Sequence, residues 1–178
     1  MDQELFEIIR KAKQGEKEAF GQLMVRFKGT VFRQAYAILN DPAEAEDIAQ
    51  EAFLKVYYTL GKLGNEYAFA SWLSRIVVHL CYDRIKKSKK EKEAFNRWRD
   101  EGRRNDSCRQ GAIEHKQLQL NIAEAMQELS PEQRVVVTLR DVQGFTYDEI
   151  ADIVQVPVGT VKSRIHTARK ALKNLLSG

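Results

Sequence analysis

The sequence predicts an all-α protein: two small helical domains joined by a charged linker, the second of them a helix-turn-helix. Three observations predict it. Apolar residues recur at helical spacing along most of the chain, capping signals stand in front of these runs, and no segment alternates as a strand between hairpin turns. The 178 residues suffice for two small domains or one of ordinary size. Three prolines and ten glycines favour regular structure over disorder.

The first strong helix signal is Asp41-Pro42-Ala43-Glu44, an N-cap followed by a proline at the first helical position and an acid in the first turn. From Pro42 to about Leu60, the residues Ile48, Ala52, Phe53, Val56 and Leu60 recur at helical spacing and are expected in the core. Glu44, Asp47, Glu51, Leu54 and Tyr58 fall on the other face. Residues 41–51 hold five acids and no base. A carboxylate metal site, a solvated face favoured by the helix N-terminal dipole, and a docking surface for a basic partner all fit such a cluster. Helical-bundle metal sites use Glu-x-x-His pairs, and no histidine lies in this helix. Leu54 and Tyr58, exposed among acids, favour docking.

Residues 69–87 form a second helix with the opposite sign. Phe69, Leu73, Ile76 and Leu80 make its apolar stripe, with Trp72 and Val77 beside it and Trp72 expected in the core. Arg75, His79, Tyr82 and Lys86 are spaced four, three and four apart, which lines them along one opposite face. A basic face carrying an aromatic suits nucleic acid, because cations meet phosphates and rings stack on exposed bases. A solvated basic face over core aromatics has the same spacing.

Charge then divides the chain. Residues 1–87 carry 13 Lys/Arg against 12 Asp/Glu, residues 88–116 carry nine against six, and residues 117–178 carry seven of each. The middle segment has little apolar periodicity and a run rich in Gly, Asn, Asp and Ser from Glu101 to Ser107. It reads as a basic linker, with a solvated extension of the preceding helix as the alternative as far as about Arg99. The expected boundaries are therefore 1–88, 89–116 and 117–178.

In the last segment Ser130-Pro131-Glu132-Gln133 and Thr146-Tyr147-Asp148-Glu149 are further caps. Val135-Val136-Val137 is β-prone but lies inside a capped helical window. A helix from about Tyr147 to Val154, a turn at Gln155-Val156 and a helix from Pro157 carrying Val161, Ile165, Ala168 and Leu172 make the helix-turn-helix. Residues 157–178 contain five Lys/Arg and no acid, whereas residues 117–156 contain two Lys/Arg and seven acids. This polarity turns the last helix toward DNA. Thr160, Lys162, Ser163, Arg164, His166 and Arg169 lie off its core stripe. Arginine bridges guanine O6 and N7 in the major groove, while lysine and serine suit phosphates.

The net charge of +4 conceals this segregation. No run reaches the ~18 apolar residues of a membrane span. The start, Met1-Asp2-Gln3-Glu4, lacks the features of a secretory leader, so a cytoplasmic location is expected. Cys81 and Cys108 are expected as unpaired thiols. His79, His115 and His166 have no metal-ligand spacing.

With these residues in place, the chain resembles the extracytoplasmic-function sigma factors, the smallest two-domain branch of the major bacterial sigma family. Three segments carry the resemblance: Glu44 to Tyr57 (EAEDIAQEAFLKVY), Phe69 to Ile76 (FASWLSRI) continuing to Asp83-Arg84, and Gly144 to Ala151 (GFTYDEIA) followed by Val156 to His166 (VPVGTVKSRIH) and Ala168 to Leu172. The third alone fits several helix-turn-helix families; the first two in front of it are more specific. The resemblance implies that Asp47, Gln50, Glu51 and Leu54 contact the clamp helices of the largest subunit of core RNA polymerase. It implies that the basic helix, through Arg75, His79, Tyr82 and Lys86, and the loop from Lys62 to Ala68 capture an unstacked base and hold the melted −10 strand of promoter DNA. The last helix would read the −35 element as duplex. The linker would thread toward the polymerase active centre and RNA exit path. An anti-sigma protein, often membrane-anchored in this family, would hold the chain inactive and could keep it at the inner membrane face. No catalytic residue, cofactor, metal or small-molecule substrate is implied. The chain departs from many relatives in carrying His79 in place of asparagine, and in a basic rather than acidic linker.

Two other classes compete. A stand-alone helix-turn-helix regulator would need a dimerisation or ligand-sensing element, where this chain has a docking helix. A nucleic-acid-processing enzyme would need acids near the basic face or a nucleophile paired with a base, and the acids lie on a separate helix.

Overall fold

A computed structural model describes residues 3–102 and 122–177, and these residues form helices and tight turns with no strand. The helices are α1 (Gln3–Lys13), α2 (Lys17–Leu39), α3 (Pro42–Thr59), α4 (Phe69–Gly102), α5 (Ile122–Gln127), α6 (Pro131–Val137), α7 (Tyr147–Val154) and α8 (Val158–Leu176). Short 3-10 turns at Leu60–Lys62 and Glu66–Ala68 join α3 to α4, and a π-helical turn, Thr138–Val142, extends α6.

The breaks between helices follow from local chemistry. Gly15, at φ 92°, takes the left-handed turn between α1 and α2 at no steric cost. Asn40, at φ 55°, ends α2 and donates its N–H to the Tyr36 carbonyl at 2.7 Å. Asp41 then accepts from the Glu44 N–H at 3.0 Å, with Pro42 opening α3. Ser130 with Gln133, and Thr146 with Glu149, form reciprocal capping boxes. Val135, Val136 and Val137 are buried within α6, so the cap and the core override their β propensity.

The predicted core positions of α3, Ile48, Ala52, Phe53, Val56 and Leu60, are buried, as are Phe69, Leu73, Ile76, Val77 and Leu80 in α4. Trp72 is only half-buried and lies against Phe69 with ring centroids 6.1 Å apart. Helix α4 runs on to Gly102, so the first part of the segment read as a linker from residue 89 is helical. Lys and Glu dominate its start; both are good helix formers without an apolar face, and Lys87 pairs with Glu91 one turn on at 4.0 Å. The rest of that segment, with Cys108 and His115, lies outside the described residues.

The two halves do not stand apart. One continuous buried cluster runs from Leu5 and Ile9 of α1 through α2, α3 and α4 into Val135, Leu139, Ile150, Val161 and Ile165 of the C-terminal half. Helix α4 packs on α7, and α2 on α6. A second, smaller cluster of Leu129, Val137 and Ala168 closes the far end. Polar bonds stitch the seam. Ser74 Oγ donates to Gln143 Oε1 at 3.3 Å across it, while the Ser74 carbonyl accepts from Gln34 Nε2 of α2 at 3.3 Å, and Arg75 Nη2 donates to the Asp152 carbonyl at 2.7 Å.

Candidate functional site

The acidic face of α3 is open. Asp47, Gln50, Glu51 and Leu54 are all exposed, Leu54 at 60%. Tyr58 is 78% exposed, and Tyr57, which helical spacing does not single out, is half exposed with its ring edge-on to Phe20 at 5.1 Å and to Tyr58 at 5.5 Å. This is an apolar patch beside carboxylates. Arg84 of α4 hydrogen-bonds to Glu44 and comes within 3.9 Å of Asp47 Oδ2, so α4 holds the first turn of the acidic helix in place. Glu51 has no such tie among the described residues and faces solvent with Leu54.

The four-residue stripe on α4 divides in two. His79 and Lys86 are exposed. Arg75 is half-buried and donates from Nη2 to the Asp152 carbonyl of α7 at 2.7 Å. Tyr82 is half-buried too; burial first, then Glu132, pushes its hydroxyl up to about 12 against the pull of Arg164. Spacing puts these four along one side of the helix, opposite the apolar stripe; Arg75 and Tyr82 instead lie against the C-terminal half, and only His79 and Lys86 face solvent. Next in the same helix, Cys81 is a buried free thiol pushed up to about 12 by burial.

The turn leading into α4 is tightly built. Leu60 and Leu63 are buried. Asn65 accepts from the Tyr67 N–H at 3.0 Å, and Lys13 of α1 donates to Glu66 Oε1 at 2.5 Å. That bond, foremost, holds the Glu66 carboxyl below its ordinary range.

In the C-terminal half, Gly144 at φ 77° turns the chain into α7, and Gln155 at φ 57° turns it into α8. Val161, Ile165 and Ala168 bury one side of α8. Lys162, Ser163, His166 and Arg169 are exposed, and Thr160 and Arg164 are half-buried. Lys162 Nζ lies 5.8 Å from the centre of the Tyr147 ring, with the Arg140 guanidinium over the same ring at 4.8 Å. Arg169 forms an ion pair with Asp141, with Nε at 3.2 Å from Oδ2, so its fork is already occupied. The positive face expected from charge counting is therefore present on α8, tethered at one point by Asp141.

An apolar groove spans the two halves, lined by Tyr36 and Ala37 of α2 and by Ile122, Val137, Leu172 and Leu176. Arg134 Nε and Thr138 Oγ1 are buried at its wall with no hydrogen-bond partner among the described residues. Among the described residues, no group of three or more His, Cys, Asp or Glu is placed to hold a metal ion, and no helix is long and apolar enough to cross a membrane.

Comparison with known proteins gives a consistent picture. Residues 23–91 match the family described as Sigma-70 region 2, and residues 119–172 match Sigma-70, region 4. The chain is similar to the RNA polymerase sigma-H factor of Pseudomonas aeruginosa, at 30% identity over 96% of this chain and 92% of that protein. It is similar to the ECF RNA polymerase sigma factor SigW of Bacillus subtilis, at 30% identity over 94% of each. Among solved structures, RpoE of Bartonella quintana, there in complex with the anti-sigma factor NepR, superposes with a TM-score of 0.69 at 25% identity, covering 89% of this chain and 96% of that one. CnrH, solved with the cytosolic domain of CnrY, shares the fold with a TM-score of 0.69 at 22% identity, over 97% and 96%.

Proposed function

The chain belongs to the extracytoplasmic-function sigma factors, which direct RNA polymerase to promoters, and from that premise we propose how its residues divide the work. Helix α3 docks on core polymerase through Asp47, Gln50, Glu51 and Leu54. The basic face of α4 holds the melted −10 strand through Arg75, His79, Tyr82 and Lys86. Helix α8 reads the −35 duplex, with Arg164 as base reader and Thr160, Lys162, Ser163, His166 and Arg169 fixing its register on the backbone. Residues 1–88 and 117–178 act as the two promoter-reading domains, and 89–116 joins them. The chain works in the cytoplasm, where polymerase is, and without catalytic activity of its own.

One observation carries this reading: an acidic helix with exposed Asp47, Gln50, Glu51 and Leu54, a basic helix and a helix-turn-helix with an acid-free last helix follow one another in a single chain. The seam adds a mechanical requirement. Arg75 and Tyr82 reach DNA only when α7 moves off α4, so docking on polymerase has to part the two halves. The polar bonds there are few, each worth about 1 kcal/mol net, so the apolar cluster shared by the two halves is the larger part of what docking has to offset. The groove across α2, α5, α6 and α8 fits the other partner class. An apolar segment with a carbonyl or carboxylate for Arg134 would fill it and hold the halves together, as expected of an anti-sigma protein.

Charge reversal tests the docking face. The double variant Asp47→Lys, Glu51→Lys should weaken core binding tenfold or more, about 1.4 kcal/mol, in a fluorescence titration with labelled core polymerase. Both side chains are exposed, so the variant should keep its helicity. Wild-type affinity for core would remove α3 from the interface. If the wild-type chain bound duplex DNA specifically without polymerase, it would act as a stand-alone regulator.

A further inference from the structure

Helix α4 does not stop where its ring-bearing stripe stops. Past Tyr82 and Lys86 it runs on to Gly102. At about 100° per residue, Lys86, Lys89 and Lys90 continue the line of Arg75, His79 and Tyr82 along one side, and Glu93 closes that line. Residues 86–94 hold five lysines against two acids, and all five lysines are exposed. No aromatic residue lies between Tyr82 and Phe95. The C-terminal half packs against Arg75 and Tyr82 and leaves the lysines open. Lysines alone make a solvated face, but this row is built against its own helix. Lys86 stands one turn from Lys89 and Lys90, and Lys89 one turn from Lys92, like-charge spacings that destabilise a helix. The Lys87–Glu91 pair, at 4.0 Å, offsets repulsion on a neighbouring side. Two acids of α3, Asp41 and Glu44, border the hollow that Lys89 and Lys92 line, but Glu44 is bound to Arg84 and Asp41 caps its own helix.

A polyanion removes this repulsion, so the charge of the row names the class of its partner. The missing rings narrow the class further. Aromatic side chains serve unpaired bases, whereas cations without rings meet phosphates alone and suit DNA whose bases stay paired and stacked. From Lys86 to Lys90 the row is about 6 Å long, enough for about two phosphates at a rise of about 3.4 Å per nucleotide. Chain order gives the direction. Residues 89–116 join the −10 half to the −35 half, so the end of α4 leads toward the DNA between the two elements. We propose that α4 carries the edge of the melted segment: as far as Lys86 its face holds the single strand, and from there Lys89 and Lys90 grip the phosphate backbone of the paired DNA between the −10 and −35 elements. The proposal rests on the sigma reading and adds a third, sequence-independent contact in a stretch otherwise taken as linker. Phosphate contacts carry no base information, so the row sets the position of the duplex edge and not its sequence.

The test uses holoenzyme assembled from the full chain and core polymerase. Wild-type holoenzyme first selects its best binder from a pool of forked DNAs, each with a randomised single-stranded −10 segment and a duplex arm on the −35 side that stops short of the −35 element. Two probes follow from it: the fork, and its single strand without the duplex arm. The double variant Lys89→Ala, Lys90→Ala should weaken the fork roughly tenfold at 0.1 M salt and lower its salt slope by about two. The same loss should appear whatever the sequence of the duplex arm. Affinity for the single strand and for core should stay at wild type. Lys89→Arg, Lys90→Arg keeps both charges and should restore the fork. Wild-type affinity and salt slope on the fork in the alanine variant would overturn the proposal and make the row a solvated face. An equal loss on both probes would also overturn it, by giving the row to the melted strand. In either case the sigma reading would stand. A wild-type holoenzyme that binds no fork more tightly than core alone would overturn the sigma reading, and the proposal with it.

Discussion

Helices α4 and α8 look alike in sequence and differ in the fold. Each carries an apolar stripe on one side and a row of cations on the other. On α8 the cations face solvent, apart from half-buried Arg164 and the tether of Arg169 to Asp141. On α4 two of the four candidate residues face the C-terminal half, Arg75 bonded to Asp152 and Tyr82 half-buried near Glu132 and Arg164. Charge patterning reports the sign of a face. Whether that face is available depends on what packs over it, and in this chain the covering residues lie far along the sequence.

The largest effect expected from this contrast is on the open helix. Arg164→Ala should cost about 1–3 kcal/mol in −35-dependent binding by holoenzyme and relax specificity at one base pair, read by binding to single-substitution promoters. Lys162→Ala should instead weaken all sequences alike and lower the salt slope by about one. If Arg164→Ala leaves every promoter unaffected, its place beside the seam is its whole role.

On the covered helix the effect is smaller and opposite in kind. Arg75→Ala removes one hydrogen bond across the seam, which loosens the free chain by about 1 kcal/mol. Energy transfer between dyes on the two halves should then show a larger open fraction before polymerase is added, while affinity for the melted strand falls. A variant as closed as wild type would show that the apolar seam alone sets closure.

The smallest effect is in the pH response. The Tyr82 hydroxyl is raised from 10.0 to about 12 in the folded chain, chiefly by burial. A raised folded value means its contribution is fully present below about pH 10 and is lost as pH climbs toward 12. Tyr82→Phe should therefore flatten the decline of the unfolding midpoint over that window relative to wild type, in urea melts at stepped pH. Identical slopes would mean that the ring opens to solvent before it ionises.

Much of this was legible in the sequence because the signals are local. The caps at Asp41, Ser130 and Thr146 fix helix starts, and the limits read for α7, Tyr147 to Val154, are those of the structure. The core stripes of α3, α4 and α8 follow the 3.6-residue period. The exposure of Asp47, Gln50, Glu51 and Leu54 follows from the same period. What was not legible is tertiary. The Arg75–Asp152 bond joins residues 77 apart, and nothing in either neighbourhood announces it. The extension of α4 to Gly102 has propensity but no apolar stripe, so periodicity was silent there.

The central claim, that this chain is the promoter-reading subunit of a polymerase, is tested most directly by run-off transcription with purified core enzyme on a library of promoter fragments. The account predicts transcripts from a defined subset of templates only when the chain is present, and their loss when either the −10 or the −35 segment is scrambled. Core polymerase that gives the same transcripts with and without the chain would contradict it.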